Sequence, residues 1–513
     1  VKAVFSSRWG LIMAALGMAI GTGNLWRFPR ILAQNGGGTF LIPWLLFLFS
    51  WSIPLLMVEF SLGRATGRGP VGAFAKVFGR GAAWRGGFVA FCSMGILFYY
   101  SVVTGWCIHY VGMAVAGTME SIEADTAEQV FLDFTNSWAP ALTHVLAIVI
   151  ALVVVAAGVT RGIERVCKVL VPSLFVVLII SAVRGLTLEG SGAGLTFLTT
   201  VDWGRLGSDH KVWLEALTQS AWSTGAGWGL MICYAIYASS NSRAGRECVI
   251  TGVGNNLASL LAALAIIPAV FALAPLAGQV PEELVRSSGP ASTGITFVWI
   301  PVLFRQMPAA GQLLSILFFV GLAFAALSSL IALVELAVRT FTDLGLQRRA
   351  AVALTAGLAL VLGMPSAVNL PFIEGHSGLT VLNNQDWVWG LGLMVSGTLL
   401  SFSVAFHGAR RFYAEYIAGP EGGSGKGALF AWMLTWLVPA QAVTLLGWWF
   451  WKAWSGVPAF DANGAERPFL DRLADWADPG AIYSIGTCLV QWGLLTVVLL
   501  LCNRRMAAAA EDS

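Results

Sequence analysis

The chain has 513 residues, of which 57% are hydrophobic and only 11% charged, with a mean hydropathy of +0.75, values outside the range of soluble domains. Lys+Arg 30 against Asp+Glu 27 gives a net charge of +3, and the charges fall in short clusters between apolar runs, which leaves no basic face for nucleic acid. The 22 Trp, 30 Phe and 58 Gly suit close helix packing and interfacial belts, and the alternating strands of a membrane barrel are missing, so an all-α integral membrane protein is expected.

Apolar stretches long enough to cross a ~30 Å hydrocarbon core run over 8–33, 39–63, 85–117, 141–158, 164–186 and 211–238. Six more follow over 244–277, 309–343, 349–363, 386–414, 428–455 and 480–503, about twelve spans in all. Basic residues stay cytoplasmic. Arg64, Arg68, Lys76, Arg80 and Arg85 crowd the second loop; Arg161, Arg165 and Lys168, then Arg243 and Arg246, then Arg348 and Arg349, then Arg410, Arg411 and Lys426 fall on the same side. Arg504 and Arg505 follow the last span, which places both termini in the cytoplasm of a multi-pass cell (inner) membrane protein. The opposite stretch from Glu120 through Glu123, Asp125 and Glu128 to Asp133 holds no Lys or Arg.

Seven cysteines, Cys92, Cys107, Cys233, Cys488 and Cys502 among those inside predicted spans, form no CxxC pair, and free thiols are expected. The first span is expected to act as its own insertion signal. His109, His144, His210, His376 and His407 are dispersed and no HExxH occurs, so an intramembrane enzyme is disfavoured.

The first span carries Gly17, Met18, Ala19, Ile20, Gly21, Thr22, Gly23 and Asn24 at its middle, and the sixth carries Ser223, Thr224, Gly225, Ala226, Gly227, Trp228 and Gly229. Unwound backbone in hydrocarbon costs several kcal/mol per unpaired group and is tolerable only beside a cavity or ion. Either segment alone reads as small-residue helix packing. The pair, placed alike in two five-helix halves, points to a secondary-transporter site at the bilayer midplane.

Arg8 to Pro29 (RWGLIMAALGMAIGTGNLWRFP), followed by Asn35, Gly36, Gly37 and Gly38, resembles the signature of the neurotransmitter:sodium symporters, the family of bacterial amino-acid transporters and animal glycine, GABA and monoamine carriers. The similarity extends through roughly the first ten spans, far beyond a lone short motif. It implies a LeuT-type 5+5 inverted repeat with helices 1 and 6 broken. Residues 1–186 would form the first repeat, 187–210 an extracellular loop, 211–415 the second repeat, and 416–513 the peripheral eleventh and twelfth spans with a cytoplasmic C-terminus.

By position, the resemblance assigns a first sodium site to the Ala19 carbonyl, Asn24, Ser223, Asn255 and the substrate carboxylate. A second takes the carbonyls of Gly17, Ile20 and Ala325 with the hydroxyls of Ser328 and Ser329. Neutral oxygens of this kind replace the hydration shell of a hard cation. The substrate carboxylate would meet the Thr22 and Gly23 amides and the Tyr100 hydroxyl, and its amine the carbonyls of Ala19, Trp222 and Gly225. Monoamine carriers of the family place an aspartate at the position of Gly21; here the substrate must bring its own carboxylate.

The pocket wall would be Met18, Thr22, Ile96, Trp222, Trp228, Ser329 and Leu333, with Ser223 and Gly225 beside the substrate. Trp228 replaces the phenylalanine of leucine-type members and resembles glycine carriers, which implies a small substrate; Gly225 leaves room for Trp228 to swing aside for a larger one. Chloride-dependent relatives have a serine where this chain has Ser259, near Gln219, Ser223 and Asn255, with Trp44 in place of a tyrosine. Arg27 and Asp386 would close the outer gate over Trp222 and Tyr100, and Lys2, Asp343 and Tyr237 the inner one. Glu59 and Glu335, acids at membrane depth, read as hydrogen-bonded braces. The expected function is sodium-coupled uptake of a small zwitterionic amino acid by a monomer or homodimer; a larger substrate, a proton-coupled carrier and a non-transporting sensor are the alternatives.

Overall fold

The computed structural model describes residues 4–239, 242–287, 294–307, 310–370, 377–418, 424–459 and 466–512. Ten helices among them are long and apolar enough to cross a membrane. They are spans two to five (Gly38–Thr66, Arg80–Ala116, Ala139–Ala156, Val159–Leu186) and seven to ten (Ala244–Leu273, Gly311–Asp343, Arg348–Ala367, Gly378–His407). Spans eleven and twelve are Gly427–Ser455 and Ile485–Glu511. Spans one and six are too short to count as continuous crossings because each is interrupted.

Span one stops at Ala19. Ile20 (φ −82, ψ 99) and Gly21 (φ −114, ψ −171) are extended, and helix resumes over Thr22–Leu25 and Arg27–Gln34. Asn24, third in the resumed helix, accepts the Gly21 N–H on Oδ1 at 2.9 Å, so a residue in the motif itself caps the new N-terminus. Span six stops at Ser223 and resumes over Leu230–Ala235. Gly225, Gly227 and Gly229 have φ of +72, +88 and +76, a conformation costly for any residue with a Cβ.

Long spans three and eight pack against one another and flank the span-one break. At Gly63 a Cβ would lie 2.0 Å from the Ile232 carbonyl oxygen, so only glycine lets span two reach the resumed part of span six. Span twelve is pinned to span ten by polar side chains. Asn384 Nδ2 donates to Thr487 Oγ1 at 3.2 Å, and Trp492 Nε1 donates to the Val388 carbonyl at 3.1 Å.

Several elements differ from the hydropathy reading. Span ten begins at Gly378 rather than 386, because Asn383, Asn384 and Gln385 lower the apolar average, while Asn384 and Gln385 find partners in span twelve. It ends at His407, where Gly408 (φ +95) breaks the helix. A short apolar helical stretch, Ile295–Gln306, stands between spans seven and eight, where only a loop was expected. The loop 187–210 carries two short helices, Ser191–Thr199 and Trp203–Ser208.

Candidate functional site

The end of a helix leaves its last carbonyls without intrahelical donors. In span one the Ile20 N–H still reaches Leu16 O at 2.7 Å, but the next donors turn away: Gly21 N goes to Asn24, and Thr22 N donates to the Tyr100 hydroxyl at 3.2 Å. The carbonyls of Gly17, Met18, Ala19 and Ile20 are thereby released, at the partly negative end of a half-helix.

They divide between two clusters. Ser329 Oγ lies 3.3 Å from Gly17 O, 3.4 Å from Met18 O and 3.3 Å from Ile20 O. One hydroxyl proton serves three acceptors, so positive charge is in deficit there. Ser328 Oγ donates to Ala325 O at 3.0 Å alongside. On the other side, Asn255 Oδ1 lies 3.1 Å from Ala19 O and 3.0 Å from Ser223 O, while accepting from Asn24 Nδ2 at 2.8 Å. Turning the Asn255 amide would relieve the oxygen crowding but set its nitrogen 2.8 Å from Asn24 Nδ2. Both clusters are built from carbonyl, amide and hydroxyl oxygens. Among the described residues no three His, Cys, Asp or Glu side chains gather as metal ligands.

Between the breaks lies a void of about 40 Å³ lined by Met18, Ala19, Gly21, Gly23, Asn24, Tyr100, Trp222, Ser223, Gly225, Trp228, Leu230, Ser329 and Leu333. Trp222 and Trp228 meet edge to face at 6.0 Å between centroids. A Cβ on Gly21 would lie 3.0 Å from Ser329 Oγ and 3.1 Å from Tyr100 Oη. Tyr100 Oη is also 3.2 Å from Thr22 Oγ1. Leu230 lines the void and was not foreseen. Ile96 and Thr22, expected in the wall, instead line a vestibule of about 360 Å³ beyond Trp222, together with Arg27, Arg30, Glu215, Asp386 and Lys452.

The span-six break is held by fixed partners. Glu59 Oε1 accepts from Gly227 N at 2.7 Å and Gly229 N at 3.1 Å, and Oε2 from Met231 N at 3.1 Å. Its negative charge meets the positive end of the resumed helix. Ser93 Oγ donates to the Trp228 carbonyl at 2.6 Å, and Ser396 Oγ to the Gly227 carbonyl.

The gate readings need correction. Arg27 and Asp386 form no ion pair. The Arg27 guanidinium stacks 4.6 Å over the Trp222 ring, a cation–π contact, and Asp386 Oδ1 accepts from the Tyr99 hydroxyl at 3.0 Å. The open vestibule between spans one and ten leaves each with a nearer partner. Lys2 lies outside the described residues. Tyr237 does not join Asp343: its hydroxyl donates to Glu335 Oε1 at 2.7 Å, and Arg348 grips the same carboxylate at 3.1 and 2.8 Å. Asp343 sits 3.2 Å from Arg339, one helical turn away.

The side that carries the start of span one and the basic loops has contacts that sequence reading missed. Ser6 N and Oγ both donate to Glu164, at 2.8 and 2.5 Å, and Lys168 Nζ lies 2.5 Å from the same carboxylate. Only the Glu164 to Lys168 spacing of four was visible beforehand. Of the residues matched to chloride coordination, Ser259 Oγ accepts from Asn24 Nδ2 at 2.8 Å. The Trp44 indole N–H and the Gln219 amide are buried without a partner.

Comparison with known proteins agrees with this architecture. The model of the Sodium:neurotransmitter symporter family matches residues 2–124 and 125–451. An uncharacterized sodium-dependent transporter of Bacillus subtilis is 32% identical over 451 residues, covering 86% of this chain and 96% of its own length. The sodium- and chloride-dependent GABA transporter ine of Drosophila melanogaster is 29% identical, over 66% of this chain and 39% of its own. Among solved structures, MhsT in complex with L-phenylalanine superposes with a TM-score of 0.74 at 29% identity, covering 87% of this chain and 99% of MhsT. A match that runs through both interrupted helices and most of the chain's length shows that the protein belongs to the sodium:neurotransmitter symporter family.

Proposed function

We propose that this sodium-dependent symporter imports a small zwitterionic amino acid, glycine- or alanine-like, coupled to two sodium ions. The observation that carries the ion assignment is the oxygen arithmetic at the span-one break. Ser329 offers one proton to three carbonyls, and the Ala19 and Ser223 carbonyls converge on the Asn255 side-chain amide at 3.1 and 3.0 Å. The second sodium site is then Gly17, Ile20, Ala325, Ser328 and Ser329; the first is Ala19, Asn24, Ser223, Asn255 and the substrate carboxylate.

The substrate bridges the two half-helix ends, its carboxylate at the Thr22 and Gly23 amides and Tyr100, its ammonium toward the carbonyls of Ala19, Trp222 and Gly225. Gly21 supplies no carboxylate for a bare amine. The 40 Å³ void under paired tryptophans supports a short side chain. A larger substrate is the second reading. It is favoured by open space at Gly225, where a Cβ would meet only Met18 Cε at 3.6 Å, and by the L-phenylalanine bound to MhsT.

The unpartnered Trp44 and Gln219 donors support an anion such as chloride beside the first sodium site. Both termini are assigned to the cytoplasm from the basic loops. Two sodium ions entering with a neutral zwitterion gain about 2.3 kcal/mol each per 100 mV and about 1.4 kcal/mol each for a tenfold gradient. The sum, about 7 kcal/mol, supports roughly 10⁵-fold accumulation at full coupling.

The test is uptake of labelled glycine, alanine, leucine and phenylalanine into proteoliposomes under an inward sodium gradient. Accumulation of glycine or alanine that collapses when sodium is equilibrated is the expected result. Accumulation of phenylalanine alone would move the assignment to the second reading. Saturable binding without accumulation would make the protein a sensor, and uptake driven by a pH gradient without sodium would make it a proton-coupled carrier.

A further inference from the structure

Spans eleven and twelve lie outside the two five-span halves, yet they build one side of the vestibule. Lys452, near the end of span eleven, places Nζ 2.8 Å from Glu215 Oε1 and 4.4 Å from the centroid of the Trp449 ring. Glu215 belongs to the outer half of span six, seven residues before Trp222, and so lies two turns away on the same helical face. Its side chain is 6% exposed and that of Lys452 40%, so the carboxylate has left water and the ammonium has not.

Trp449 packs edge-on against Trp387 at 5.3 Å. Trp387 precedes a turn of span ten fixed to span twelve, its indole donating to the Ser484 carbonyl at 3.1 Å. Unbroken contact therefore runs from the outer half of span six, through span eleven, to the wall formed by spans ten and twelve. Glu215, Lys452, Trp449 and Trp387 all line the vestibule.

We propose that the Glu215–Lys452 ion pair is an outer latch, and that Lys452 is a positioning residue for transport. The pair ties the mobile outer half of span six to the wall of spans ten to twelve and so sets how readily Trp222 is uncovered. This inference rests on the alternating-access reading above. The chemistry suits a latch. A pair half open to water contributes little net stability, so it can part in every cycle, while the carboxylate, the more buried partner, favours pairing again. The vestibule supplies the water that the carboxylate needs when the pair separates. Arg30, 8% exposed on the same vestibule, is the other cation facing Glu215 across it.

The test measures labelling of Thr218→Cys by a membrane-impermeant thiol reagent, in a Cys502→Ser background, with sodium and without substrate. Thr218 is buried on the same half-helix and lines the vestibule, and the remaining native cysteines are buried. Lys452→Gln and Glu215→Gln are each expected to raise the labelling rate about threefold, with Lys452→Arg and the exchange Glu215→Lys with Lys452→Glu near the parent rate. Uptake in the two single variants should lose turnover while half-saturation changes less than about twofold. Unchanged labelling in both single variants, or raised labelling in Lys452→Arg as well, overturns the latch. Labelling needs no substrate, so it decides this point even if the parent protein accumulates none of the amino acids tried, an outcome that would count against the transport reading instead.

Discussion

The two interrupted helices solve one problem in opposite ways. Span six gives up six residues, Thr224–Gly229, and hands its free N–H groups to the carboxylate of Glu59, while the hydroxyls of Ser93 and Ser396 donate to its carbonyls. Span one gives up only Ile20 and Gly21, and leaves its released carbonyls to share the hydroxyl of Ser329 and to crowd Asn255. One break is fixed by protein partners; the other leaves its oxygens to the cations proposed above. Electrostatics follows the same division, because an acid serves the N-terminal end of span six and neutral oxygens face the C-terminal end of the first half of span one.

The largest effect should come from removing the brace. Glu59→Ala strips the acceptor from three buried N–H groups, each worth roughly 1–3 kcal/mol. We expect loss of monodisperse protein on size exclusion in detergent. Glu59→Gln, which keeps one accepting oxygen, should lower the melting temperature and leave a folded protein. A Glu59→Ala variant as stable as the parent would remove the distinction between the breaks.

Next, one substitution placed in each break should separate stability from binding. Gly227→Ala forces a Cβ into the left-handed region, about 1–2 kcal/mol, and to 2.9 Å from the Gly397 Cα. It should destabilise the fold. Gly21→Ala meets only the hydroxyls of Ser329 and Tyr100, at 3.0 and 3.1 Å, with an extended φ that alanine adopts freely. It should melt like the parent while substrate-induced stabilisation disappears. Equal melting and equal ligand response in both would contradict this.

Smaller effects should resolve the two oxygen clusters. Asn24→Ala and Ser328→Ala each remove one oxygen of a proposed sodium site and should weaken sodium dependence about tenfold, or about 1.4 kcal/mol, at separate sites. In the double variant the losses should add, and unchanged sodium titrations in both single variants would defeat the ion assignment. Smallest of all, Tyr100→Phe removes one hydrogen-bonding partner, worth about 1 kcal/mol, and should raise the half-saturation concentration for substrate several-fold while sodium binding without substrate stays unchanged.

How far the primary structure went can be traced residue by residue. Glycines at every second position from Gly225 to Gly229, matched by Gly17, Gly21 and Gly23 in span one, pointed to a pair of interrupted helices. Two acids at membrane depth, Glu59 and Glu335, announced hydrogen-bonding partners. These are local properties of a residue and its solvent, and hydrocarbon makes them strict because it offers no water to an unpaired group. The twelve crossings were legible for the same reason. Span ten was misplaced at its start because an average over apolar character cannot see that Asn384 and Gln385 have partners in span twelve.

The gates show where local reasoning ends. Arg27 and Asp386 are separated by 359 positions in the chain and Tyr237 and Glu335 by 98. Which charge takes which partner depends on distances of a few ångströms set by packing and by the conformation the protein occupies. Arg27 rests on Trp222, and Asp386 on Tyr99, because those groups are nearer in this arrangement. The chain alone pointed to two interrupted helices inside the membrane, through matched glycine-rich segments in a solvent without water, and its family resemblance named the oxygens they would free. Only the folded structure decided which freed oxygens converge, which tryptophans close over them, and how spans ten to twelve meet the vestibule, since those outcomes depend on contacts between residues that the sequence keeps far apart.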